Sequence, residues 1–159
     1  MPDGPLVPVE FTRQSDNGRI TLVIDPQAAS VRVLWAVLAL NELAAVRQAL
    51  REREGITVKK WEQLIGVWQS QTPPPVQIPE LPDWAAGHGI DAVIWTALLP
   101  KFGGEPVRPP VDQILNHLRQ LRGDARDRAQ EYIERAPQQV DTEYRRRIER
   151  ELGWRYRVR

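Results

Sequence analysis

The chain contains no cysteine. That excludes disulfides, thiol catalysis and cysteine-held metals, and it fits a reducing compartment. Histidine is almost as scarce. His88 and His117 stand far apart in sequence, so neither a histidine-based metal site nor a Ser-His-Asp triad is expected. Net charge is nearly absent too: 22 Lys and Arg against 21 Asp and Glu give +1. No global field therefore draws the chain to nucleic acid or to a membrane. No apolar run reaches the length of a membrane span. Residues 1–10, MPDGPLVPVE, have neither the basic start nor the apolar stretch of a signal peptide. These absences predict a soluble, cytoplasmic protein.

What is present is ordinary for a globular chain: 159 residues, 42% hydrophobic and 27% charged. One domain with a real core is expected over residues 1–153, followed by a basic tail at 154–159. Six tryptophans are many for this length, and several are expected to line a cavity or cement the core.

Residues 6–13, LVPVEFTR, alternate and predict a strand, which Pro8 assigns to an edge or a strand start. SDNG at 15–18 signals a hairpin into RITLVI at 19–24. After a turn at 25–30, VRVLWAVL at 31–38 predicts a third strand, and the three suggest an antiparallel meander. Residues 57–70 read either way, with IGVW at 65–68 as a strand candidate. The Pro-rich 71–82 is a surface crossing. Asp83 can cap a short helix over 84–88. AVIWTAL at 92–98 reads as a central strand buried on both faces, and KFGGEPVRPP at 101–110 as a loop. Three helices complete the chain. The first starts near Pro110 and ends at Gly123; Asp124 and Asp141 cap the others, which stop at Pro137 and Gly153. The predicted class is α+β, a mainly antiparallel sheet or partial barrel with one packed helix and a helical C-terminal third.

The packed helix is NELAAVRQALREREG at 41–55, with Asn41 as its cap and Gly55 as its end. At about 100° per residue, Leu43, Val46 and Leu50 share a face, Glu54 continues it and Glu52 opposes it. A carboxylate at the end of an apolar stripe reads in two ways. Glu54 reaches solvent, or pairs with Arg47 or Arg53, where the helix frays. Alternatively it is a general base in a pocket between helix and sheet. Trp95 and Thr96, at the end of a buried strand, and Trp35, before the helix, read either as core or as pocket walls. Gly103 and Gly104 match no phosphate-binding fingerprint. Residues 145–159 carry seven arginines against Glu149 and Glu151, with Trp154 and Tyr156 interleaved. That pattern is either a solvated helix face with a loose tail or a surface for single-stranded nucleic acid. His88, between two glycines, reads as a turn residue.

Residues 9–55, VEFTRQSDNGRITLVIDPQAASVRVLWAVLALNELAAVRQALREREG, resemble the gamma-glutamylcyclotransferase-like superfamily, including its ChaC-type members. There an F-T-R strand leads to a T-L-V strand, then a G-x-x-Y/W strand, then a helix ending Leu-Asp-x-x-Glu-Gly. This chain ends the helix Leu50-Arg51-Glu52-Arg53-Glu54-Gly55. The C-terminal third resembles the helical tail of an uncharacterised bacterial branch. The resemblance implies a cofactor-independent reaction that cyclises a gamma-glutamyl substrate to 5-oxoproline. Glu54 would be the general acid/base, and Trp35, Trp95 and Thr96 would contact substrate. It implies a small-molecule partner, and neither nucleic acid nor membrane. Family members begin with a Tyr-Gly-Ser element whose backbone amides hold the substrate's carboxylate, and nothing in residues 1–8 matches it. An impaired site is one expectation from that departure, through a truncated start or a lost loop. A sheet edge left open for pairing in a homodimer is another. The alternative is a non-catalytic small-molecule-binding or protein-interaction module on the same fold.

Overall fold

A computed structural model describes residues 1–38, 42–54 and 61–158. The proposed cap Asn41 and helix stop Gly55 lie outside the described residues, as do residues 57–60 of the segment that read either way. The class is α+β, with five α-helices and two small antiparallel sheets among the described residues and no closed barrel.

β1 (Leu6–Gln14) is the central strand of the first sheet, with β2 (Ile20–Ile24) on one edge and β3 (Ser30–Arg32) on the other. The SDNG hairpin forms as expected: Gly18 takes φ 82° and its N–H donates to the Ser15 carbonyl. The meander does not. Residues 25–29 carry the chain across β1 instead of alongside β2, so β3 pairs with residues 6–8 on the far edge. β3 also stops at Arg32, well short of residue 38. Pro8 lies inside this central strand, contrary to the edge assignment. Its carbonyl accepts the Asp25 N–H at 2.9 Å. The Asp25 carbonyl, which a residue other than proline at position 8 could have engaged, takes the Ala28 N–H of the turn instead. No ladder partner is left waiting for the N–H that proline lacks.

Residues 7–12 are all buried, so both faces of β1 are covered. Val7, Val9 and Phe11 join the main core with Ile114, Leu118, Ile133 and Ile148 from the C-terminal helices. A bulge between Phe11 and Arg13 turns the strand's end toward Lys101, whose N–H and carbonyl bond Thr12 and Gln14.

α1 (Leu43–Glu54) is followed by a 3₁₀ turn (Trp61–Leu64) and by β4 (Ile65–Gln69), which pairs with β5 (Ala92–Thr96). β5 is therefore one strand of a two-stranded sheet and is half-exposed, where a central strand buried on both faces was expected. An apolar run alone does not tell how many neighbours a strand will find. Between β4 and β5 lies α2 (Leu81–Gly87). It begins three residues before the expected 84, with Asp83 inside its first turn. Buried Leu81 and the Glu80 carboxylate, which accepts the Leu6 N–H at 2.8 Å, anchor its start to β1.

The C-terminal third forms α3 (Val111–Gln120), α4 (Gly123–Arg135) and α5 (Glu143–Leu152). Neither Asp124 nor Asp141 is a cap. Thr142 caps α5 by accepting the Arg145 N–H at 3.2 Å, and Asp141 pairs with Arg146. Gly153 ends α5 with φ 73°, as its position predicts. The loose tail does not appear: Trp154 is 2% exposed within the core, and the Arg157 N–H donates to the Glu134 carbonyl. No described helix is long and apolar enough to cross a membrane.

Candidate functional site

The helix that carries Glu54 packs against β5, which carries Trp95 and Thr96. The structure thus brings three of the four sequence candidates onto neighbouring elements. Glu54 itself is exposed at the last described turn of α1, the solvent-reaching one of its two readings. Val46, Arg47, Ala49, Leu50 and Arg51 are half-buried, and none of the side chains described on α1 is fully buried. Arg47 shares the Glu54 face, since seven residues bring a helix to within about 20° of two full turns. Its Nε is buried and has no hydrogen-bond partner among the described residues. The Trp95 ring lies flat over Gly66, its cross-strand partner, where any Cβ would collide with it. Thr96 pairs with Ile65 in the same ladder.

Trp35 goes elsewhere. It lies beyond β3, and its Nε1 donates to Asp3 at 2.8 Å. Its ring stands edge-on to Trp84 and to His88, with centroids 5.3 and 5.4 Å away. His88 lies in the turn that ends α2, as expected, and its side chain is engaged there. Its Nε2 faces the Asp3 carboxylate at 2.9 Å and its Nδ1 faces the Trp84 carbonyl at 2.8 Å. Both neighbours are acceptors, so the ring satisfies them together only as a doubly protonated cation. The hydrogen bond that His88 donates to Asp3 raises the His88 pKa above its usual value. Bonds from Trp35 and His88 hold Asp3 down to about 2. With both nitrogens engaged, His88 has no lone pair to act as a base. The second histidine, His117, approaches the Gly18 carbonyl at 2.6 Å and ties α3 to the hairpin. Among the described residues no three His, Asp or Glu converge as metal ligands.

The glycine pair Gly103-Gly104 forms a tight turn with φ 60° and 78°, closed by reciprocal bonds between Phe102 and Glu105. The Gly103 N–H donates to the Gln14 side chain, so this turn supports β1.

The C-terminal arginines are largely committed to the fold. Arg145 is 2% exposed, and its guanidinium donates to the carbonyls of Ile133, Ala136, Pro137 and Val140 at 2.7–3.3 Å. It closes the C-terminal end of α4, where free carbonyls and the helix dipole both favour a cation. Arg146, Arg147 and Arg157 pair with Asp141, with Asp112 and Glu151, and with Glu134.

Sequence reasoning missed a cleft of about 380 Å³ between the outer edge of β2 and α4, lined by Arg19, Leu22, Arg128, Tyr132 and Arg135 among others. Arg19 lies over the Tyr132 ring, its Cζ 5.3 Å from the centroid. The Tyr132 oxygen accepts the Leu22 N–H at 3.1 Å, a backbone donor that the free sheet edge leaves over. Burial raises the Tyr132 pKa, and the nearby Glu54 charge adds to the effect. Arg19 and Tyr132 lie far apart in the chain, and no local pattern announces their meeting. The one signal was Tyr132 on the inward face of α4. Neither a family model, nor a curated protein, nor a solved structure matches this chain.

Proposed function

We propose that the chain is a gamma-glutamylcyclotransferase-like protein that converts a gamma-glutamyl amine, amino acid or peptide to 5-oxoproline. The substrate's own α-amine attacks its γ-carbonyl. A C–N bond closes the five-membered ring, and the original γ-amide C–N bond breaks. The α-amine starts protonated, so Glu54 takes its proton before attack and returns one to the departing amine. Protons and electrons balance without a cofactor. Holding the amine beside the carbonyl supplies part of the acceleration.

The observation that carries this reading is Arg47, on the same face of α1 as Glu54, whose buried Nε lacks an acceptor among the described residues. A substrate carboxylate would supply that acceptor with the reacting amine toward Glu54. Packing of α1 on the strand of Trp95 and Thr96 supplies a wall for such a substrate. The test is release of 5-oxoproline from glutathione and from gamma-glutamylalanine, wild type beside Glu54→Gln. A drop of about 100-fold or more is expected on losing the acid/base group. Unchanged activity in the variant removes Glu54 from the mechanism.

The exposure of Glu54 favours a second reading, a non-catalytic module that binds a small molecule. No 5-oxoproline from either protein supports it.

A further inference from the structure

We infer that the cleft between β2 and α4 binds a small organic carboxylate, held by the Arg19 guanidinium and the Tyr132 hydroxyl. The inference goes beyond the cyclotransferase reading and stands without it.

Two donors in this cleft have no acceptor among the described residues. Arg19 Nε is buried and without a partner, and no carboxylate pairs with this guanidinium among the described residues. The Tyr132 oxygen already accepts from Leu22, and its own O–H finds no acceptor among the described residues. A shielded donor without an acceptor is destabilising, and both are relieved by one ligand that only accepts. Charge points the same way. Three arginines line the cleft against Glu131, which is already paired with Arg135 at 3.0 Å, and against the Glu54 charge that reaches Tyr132, so the balance stays positive. Among the described residues Arg128 has no carboxylate partner and makes only a 3.4 Å contact with the Asp124 carbonyl. The ligand is therefore an anion. The remaining wall, Leu22 and Pro137 with the Tyr132 ring, is apolar and fits hydrocarbon. A volume of about 380 Å³ suits a molecule of metabolite size. A carboxylate on a short carbon chain satisfies all three conditions, whereas inorganic phosphate leaves the apolar wall unused.

The test is a titration of the ¹⁵N-labelled protein with glutarate at constant ionic strength, following the Leu22 amide, whose proton lies on the Tyr132 oxygen. A saturable shift at Leu22 is expected. Arg19→Gln should weaken glutarate by about tenfold or more, as loss of a charged hydrogen bond does, and Tyr132→Phe by about threefold. An unmoved Leu22 amide, equal affinity in Arg19→Gln, or tighter binding of inorganic phosphate would each overturn the proposal. Should Arg19→Gln not fold, Tyr132→Phe decides alone, and unchanged affinity there is a refutation. Glutarate binding at Leu22 without any 5-oxoproline formation would remove the cyclotransferase reading and leave this one standing.

Discussion

The carboxylate of Glu10, in the middle of β1, accepts the backbone N–H of Tyr144 in the first turn of α5 at 3.3 Å. The two residues are 134 positions apart. With its other oxygen Glu10 accepts the Phe11 N–H at 3.0 Å. A carboxylate at a helix N-terminus meets unpaired N–H groups and the positive end of the dipole, so β1 is joined to α5 electrostatically as well as by packing.

Glu10→Ala is expected to destabilise the protein by about 1–3 kcal/mol in urea unfolding, because two buried N–H donors lose their acceptors. Burial raises the Glu10 pKa above its ordinary 4.5. The folded state then holds the proton more tightly than the unfolded one. Stability from this group is full below 4.5 and falls as pH rises through the folded pKa. The deficit of Glu10→Ala should accordingly be largest in acid and shrink toward neutral pH.

Trp154→Ala should cost about 3–5 kcal/mol in the same measurement, as for other buried aromatic side chains. Its neighbour Arg155 is exposed, and Arg155→Ala should fall within about 0.5 kcal/mol of wild type. Equal, small effects for both would mean that the segment after Gly153 does not pack on the core.

Gly66→Ala places a methyl group where the Trp95 ring lies, and the β4–β5 ladder must open to admit it. A loss of about 1–3 kcal/mol is expected, as for overpacked sites. A red-shifted tryptophan emission should accompany it as Trp95 is displaced. An unchanged spectrum and melting temperature would contradict the stacked geometry.

His88→Gln should lose a pH-dependent part of the stability. The folded His88 pKa is raised above 6.5, so its contribution is full below 6.5 and is lost as pH rises through the folded value. Asp3 is lowered from 3.8 to about 2, so its contribution is full above 3.8 and is lost as pH falls toward 2. The wild-type advantage in melting temperature should therefore peak between these limits and decline above pH 6.5. An advantage that does not vary with pH would show that His88 is not held as a cation.

Local chemistry sufficed for much of the fold. The SDNG turn, the strand periods of β1 and β2, the IGVW strand, the three C-terminal helices and the stop at Gly153 are all legible in short windows of residues. Each rests on backbone geometry and period, which neighbours in sequence set. Strand order was not legible, because it depends on which edge of β1 the chain reaches after residue 24. Nor was the depth of Glu54. A helical wheel ranks faces, but the extent of the opposing sheet decides how far along a face burial continues. Trp154 and Arg145 read as solvent-facing in a basic segment, and are buried because α4 and the core lie against them. The Arg19–Tyr132 cleft and the His88–Asp3 pair exist only through contacts between distant segments. Residue order set the local conformations here. Burial, charge state and unfilled hydrogen bonds, from which both functional readings are argued, came from the packing of those elements against one another.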